Sequence, residues 1–243
     1  MLWSKGKLGR SRGACWLAAL IALAGSIVAA AQAPSAPASR FVVVLDAAHG
    51  GNDPGAPLNA HPEKDISLDL SVRLRSLLTA RGIPVVTTRE SDVPVDMEHR
   101  AEIANHANAQ ACLSLHASLS GSGVHLFISS LAPAAPARFA PWKTAQAAWV
   151  TRSLALAGTL NSALQHAGIA VTLSRTALPI IDSMACPAVA VEIAPESDSD
   201  RSSGHALAGS LDDPGYQARL AQALAAALVE WRSEGGNMGD RQP

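Results

Sequence analysis

The sequence predicts an α/β fold: an open, mostly parallel twisted sheet with helices on both faces, formed by one domain. Three observations carry that expectation. Runs of apolar and β-branched residues alternate with segments of helical periodicity, the pattern of βαβ units. The strand runs lack polar alternation, as strands covered on both faces do. Hydrophobic residues make up 48% of 243, enough to fill one core.

Taken in order, Phe41 to Asp46 (FVVVLD) suits a first strand buried on both faces. From Asp65 to Arg81 the residues Ile66, Leu70, Leu74, Leu77 and Leu78 recur at helical spacing, Asp69 and Arg73 form an i,i+4 pair, and Gly82 is a natural stop. Pro84 to Thr88 is a second strand. Asp96 caps a helix running to Asn108, with Met97, Ala101 and Ala104 on one face. Ala111 to His116 and Val124 to Ser129 are the third and fourth strands. The proline- and alanine-rich segment Leu131 to Pro141 is a loop. A long helix is expected from Trp142 to Ala167, with Trp149, Leu156, Leu160 and Leu164 facing the core and Gly168 ending it. Ala188 to Ile193 is again a buried strand, and Ala194 to Asp212 a polar, exposed loop. Pro214 opens a last helix with the stripe Tyr216, Leu220, Leu224, Leu228 and Trp231. The tail 233–243 is expected to be disordered.

The N-terminus predicts export. Lys5, Lys7, Arg10 and Arg12 precede an apolar run from Ala14 to Ala31, and Ala31-Gln32-Ala33 fits a cleavage site. Residues 1–33 are therefore expected as a signal peptide, 34–40 as a linker and 41–232 as the folded domain. Without the signal, 15 basic residues face 20 acidic ones. A net charge of −5 gives no electrostatic case for nucleic acid or anionic lipid. The mature chain is expected to be a monomer free of the membrane, periplasmic or extracellular. Cys112 and Cys186 are expected as buried free thiols rather than a bridge.

In an open α/β sheet, chemistry collects outside the carboxyl ends of the strands. The first strand runs into Asp46-Ala47-Ala48-His49-Gly50-Gly51, the third ends in Ser114-Leu115-His116-Ala117, and a late strand carries Glu192. Glu63, just before the first helix, can swing over the same rim. Singly, His49 and His116 are as readily backbone-bonded turn histidines as metal ligands, and Glu63 as readily a carboxylate on a helix dipole. Glu192 is harder to dismiss, because a carboxylate in an Ala-Val-Ala-Val-Glu-Ile run is costly unless paired. Two imidazoles, one ligating carboxylate and a further carboxylate are the parts of a hydrolytic zinc site.

FVVVLDAAHGGNDPGA at 41–56, Glu63-Lys64-Asp65, Thr88-Arg89, Arg100 with Ala104-Asn105, LSLHA at 113–117 and PAVAVE at 187–192 occur in that order over nearly all of the mature chain. The set resembles the zinc-dependent N-acetylmuramoyl-L-alanine amidases of the type-3 class. The resemblance implies a catalytic domain that cuts the bond between N-acetylmuramic acid and L-alanine in peptidoglycan, with Zn2+ as cofactor. By position it implies His49, Glu63 and His116 as zinc ligands and Glu192 as the catalytic glutamate. Asp46 and Asp53 are then expected to orient His49 and brace the glycine turn, and Arg89 and Arg100 either to meet stem-peptide carboxylates or to form structural ion pairs. His125 has no nameable partner.

Three departures stand out. Ala48 replaces a usual glycine, Ser118 a usual asparagine or aspartate, and Ile193-Ala194-Pro195-Glu196 differs from the segment that commonly follows the catalytic glutamate. The loop Leu131 to Pro141 stands where some members carry an occluding helix, so self-inhibition is not expected. A non-catalytic peptidoglycan-binding or regulatory module is the alternative, and a zinc peptidase acting on another amide a third reading.

Overall fold

Every residue of β1 (Val43–Ala47) is buried, because the strand runs between two neighbours in a sheet covered by helices on both sides. The structure, a computed structural model, describes residues 40–58, 61–136, 141–196 and 210–238. The predicted signal peptide, nearly all of the predicted linker and most of the polar segment after Glu196 lie outside the described residues. Next come an antiparallel pair, β2 (Pro57–Leu58) and β3 (His61–Pro62), then α1 (Glu63–Thr79), β4 (Val85–Thr87), α2 (Met97–His106), β5 (Ala111–Ala117) and β6 (Val124–Ser129). A 3-10 segment (Trp142–Ala148), α3 (Val150–His166), β7 (Val171–Thr176), the single turn α4 (Pro179–Asp182), β8 (Ala188–Ile193) and α5 (Pro214–Met238) follow.

Six strands form one sheet in the order β4-β1-β5-β8-β6-β7. All neighbours are parallel except β8 and β6. The fold is thus the expected mostly parallel α/β sheet. Alternate strand residues serve two cores. Leu45, Leu113, Leu115, Val189 and Val191 meet the buried stripes of α1, α3 and α5. Val44, Cys112, Ala188 and Ala190 meet α2 through Ala104 and α4 through Ile181. The Asp96 carboxylate accepts the His99 N–H, as a cap should, and Gly82, at φ 70°, closes α1.

The structure corrects several details. Cys112 and Cys186 are not free thiols but a disulfide, with Cα atoms 6.3 Å apart. β5 and β8 are parallel neighbours with Cys112 opposite Ala188, which sets the two thiols side by side. Closing a loop of 74 residues stabilises the fold by about 4 kcal/mol in the chain-entropy account. The predicted helix from Trp142 breaks, and α3 starts only at Val150. Gln146 turns inward instead, donating to the carbonyls of Met184 (2.7 Å) and Cys186 (3.0 Å), and Trp149 stays partly exposed. Met97 is 56% exposed, so the buried face of α2 is Arg100, Ala101 and Ala104. β7 and α4 were not expected: β7 is a mostly exposed edge strand with polar Thr172, Ser174 and Arg175, so it lacks a hydrophobic signal. α5 runs to Met238, past the predicted end of the domain at Arg232.

Candidate active site

At the carboxyl end of β1 the backbone turns left-handed for three residues, His49 (φ 60°), Gly50 (φ 128°) and Gly51 (φ 59°). A Cβ on Gly50 would lie 2.5 Å from the Val93 carbonyl oxygen, and one on Gly51 2.7 Å from Pro94, so both positions require glycine. The left-handed stretch begins only at His49, so Ala48 does not need the backbone freedom of glycine. Lys64 Nζ grips the turn from outside, donating to the Gly51 carbonyl (2.9 Å) and to Asp92 (2.6 Å), while Asp92 accepts the Gly51 N–H (2.6 Å). The hydrogen bonds from Lys64 and Gly51 hold the Asp92 carboxyl below the usual carboxylate range.

Arg89 and Arg100 are buried beneath this turn. Arg89 donates to the carbonyls of Ala47, Ala48 and Lys64 at 2.7 to 2.9 Å. Arg100 donates to Asp46 (2.7 Å), Ala47 O (2.6 Å) and His49 O (2.6 Å). Of the two, Arg100 makes a buried ion pair, with Asp46. Asp46 does not touch the His49 ring. It accepts from Thr88 Oγ1, Arg100 and Ser114 Oγ, each at 2.7 Å, and Ser114 Oγ lies 3.3 Å from His116 Nε2. Asp46 therefore braces His116 through Ser114, and the backbone of His49 through Arg100. Asp53 does orient His49, with Oδ2 at 2.8 Å from Nδ1 and Oδ1 accepting the Gly55 N–H.

Glu63, the first residue of α1, reaches over the rim between the two imidazoles. Oε2 lies 3.0 Å from His49 Nε2 and Oε1 2.9 Å from His116 Nδ1. The N–H groups of Ala56 (3.0 Å) and Ala117 (3.2 Å) fix the carboxylate in that place. One donor atom from each of the three side chains lies within 4.8 Å of the others. Gly55 (φ 67°) lets them close, since a Cβ there would come 2.6 Å from His49 Cδ2 and 2.7 Å from Glu63 Oε2. Burial pushes the Glu63 carboxyl up, but hydrogen bonds from His116 and Ala56 more than reverse it, and the group stays below its ordinary range.

The charge arrangement asks for a cation. Both nitrogens of His49 face carboxylates, Asp53 on one side and Glu63 on the other, whereas a neutral imidazole offers one N–H. A metal ion between His49 and Glu63 would satisfy both groups. Two nitrogens and one carboxylate oxygen, with an outer carboxylate on one imidazole, fit the donor preferences of zinc and leave a fourth position open.

Glu192 stands beside this cluster. In the sheet register His116, Glu192 and His125 form one row across β5, β8 and β6, on strands spaced about 4.8 Å apart. His125 Nδ1 lies 3.3 Å from Glu192 Oε1, so Glu192 is not the unpartnered carboxylate that the sequence suggested. It is also 30% exposed, not sealed in the core. Glu196 is held by Arg219 at 2.8 Å. Sequence reasoning missed His125, Ser114, Gly55 and the Lys64–Asp92 grip. His125 escaped because it sits at the amino end of its strand, where the rule for parallel sheets does not look; the antiparallel direction of β6 brings that end to the rim.

A family profile described as N-acetylmuramoyl-L-alanine amidase matches residues 43–230. The chain is 33% identical over 96 residues to the germination-specific N-acetylmuramoyl-L-alanine amidase of Bacillus subtilis, covering 34% of this chain and 40% of the relative. It is 42% identical over 83 residues to an endolysin of Bacillus phage SPP1, covering 34% and 31%. The chain thus spans about a third of the length of the curated relatives that it matches. Its fold is similar to the catalytic domain of CwlV from Bacillus (Paenibacillus) polymyxa var. colistinus, with a TM-score of 0.61, 23% identity and coverage of 79% of this chain and 98% of that one.

Proposed function

The chain belongs to the type-3 N-acetylmuramoyl-L-alanine amidase family, and from that premise we propose that it is a zinc-dependent hydrolase of peptidoglycan. The bond cut is the amide between the lactyl group of N-acetylmuramic acid and L-alanine of the stem peptide. One observation carries the reading: His49, Glu63 and His116 converge on one point beside Glu192, a further carboxylate on the same face of the sheet.

His49 Nε2, a Glu63 oxygen and His116 Nδ1 would hold the ion. Zinc bound there supplies Lewis acidity toward water and toward the scissile carbonyl oxygen. Asp53 and the Ser114–Asp46 chain keep the two imidazoles oriented by bonding the nitrogen of each that does not face Glu63. Glu192 is the general base: it takes the proton of the attacking water and returns it to the departing alanine nitrogen. Its partial exposure suits it to a substrate arriving from solvent. Action on the wall agrees with the export signal read in residues 1–33, and in this reading the mature chain works in the periplasm or outside the cell, as a monomer. No helix among the described residues is long and apolar enough to cross a membrane.

The test is Glu192→Gln, which keeps the shape but cannot accept a proton. It should fold, hold one zinc per chain and lose ~10²- to 10⁴-fold in turnover on muropeptides. Loss of the metal would make Glu192 a ligand, and unchanged turnover would remove it from catalysis.

A further inference from the structure

His125 is a strand histidine outside the family motifs, yet its ring has a built place. It is seated against the turn before β6, where Gly121 has φ 81° and a Cβ would fall 2.1 Å from His125 Cε1 and 2.5 Å from Nε2. On its other side the edge of the ring meets Phe127, with centroids 6.3 Å apart and planes at 83°. In this place His125 Nδ1 lies 3.3 Å from Glu192 Oε1. His116, the neighbour of Glu192 in the other direction, has its two nitrogens engaged by Glu63 and Ser114. His125 is thus the side-chain partner of Glu192 among the described residues.

We propose that His125 is a positioning residue for Glu192: its Nδ1–H holds Oε1, and the second oxygen, Oε2, is left aimed at the water that loses its proton. The inference rests on the reading of Glu192 as the general base. A partly exposed glutamate has three side-chain torsions to settle, and a misplacement of about 1 Å at a reacting group costs on the order of 10²-fold. A histidine that only filled space would be replaced equally well by any ring of similar size.

The experiment measures kcat, KM and zinc content for the full-length zinc-loaded protein on soluble muropeptides. The variants are His125→Ala, His125→Phe, His125→Asn, Glu192→Gln and the double variant His125→Ala with Glu192→Gln. Asparagine sets an N–H close to the position of Nδ1, whereas phenylalanine fills the volume without a donor. Alanine and phenylalanine should lower kcat by ~10- to 100-fold, with KM within about threefold and one zinc retained, and asparagine should restore most of the rate. The double variant should be no slower than Glu192→Gln alone, because His125 acts through the carboxylate. Phenylalanine matching asparagine, alanine keeping the parent rate, or a double variant slowed by the full additional factor would each overturn the proposal. If Glu192→Gln is inactive while His125→Ala is unimpaired, only the role of His125 falls. If Glu192→Gln keeps the parent turnover, the general-base reading fails and this inference with it.

Discussion

His49 has an acidic group on each ring nitrogen, and Glu63 an imidazole on each oxygen. The site is therefore a chain of alternating imidazoles and carboxylates in which His49, Glu63 and His116 could hold a cation. His49→Ala and His116→Ala should each lose zinc after mild dialysis, as elemental analysis would show; full retention by either variant would refute the ligand assignment. Without metal, the same contacts set a pH limit. The folded-state pKa of Glu63 lies below its ordinary value of 4.5, so its contribution to stability is complete above that value and is lost as the pH falls through the lower one. In chelator, the urea midpoint should drop on acidification below about pH 4.5, and Glu63→Gln should flatten the drop. The sequence made His49, Glu63, His116 and Glu192 legible because each lies at or near the end of a parallel strand or the start of the first helix. For Arg89 and Arg100 it left two roles open, because burial under a turn leaves no local pattern; Arg89 donates to backbone carbonyls, and Arg100 to carbonyls and to Asp46.

At the scale of elements, the site depends on short connections meeting at one rim. The β2–β3 pair delivers Glu63 as the first residue of α1, and the Glu63 N–H closes on the Ala56 carbonyl at 3.0 Å. At Gly55 the left-handed φ and the 2.6 Å approach to His49 exclude any side chain. Gly55→Ala should weaken zinc binding by at least tenfold in competition with a chelator while leaving the far-UV circular dichroism unchanged. An unaltered affinity would show that His49 and Glu63 can separate without harm. Long elements with one strong period, such as α1 and α5, could be read from the sequence. The break before α3 could not, because Gln146 leaves the helical pattern for carbonyls 38 and 40 residues away. β7, an exposed edge strand, offered no apolar alternation to read.

Across the whole molecule, one antiparallel strand explains what the sequence hid. β6 enters at the rim with His125 beside Glu192 and leaves at the opposite end of the sheet, where Ser129 leads to the proline-rich loop. That loop starts away from the site, and Ala134 is tied to Ala147 at 2.9 Å. The disulfide follows from the same topology, since only the strand order makes β5 and β8 neighbours. The alternation of strands and helices gave the fold class, but strand order and direction arise from long-range packing that no local pattern encodes. In the proposed function this arrangement of residues cuts a single bond of the cell wall. Its most direct test is to incubate the zinc-loaded protein with purified peptidoglycan and identify the new ends by amino-terminal labelling and mass spectrometry. The expected products are free L-alanine amino termini, with intact glycan strands and intact peptide cross-links. New termini at any other residue, or binding to the wall without release of ends, would contradict it.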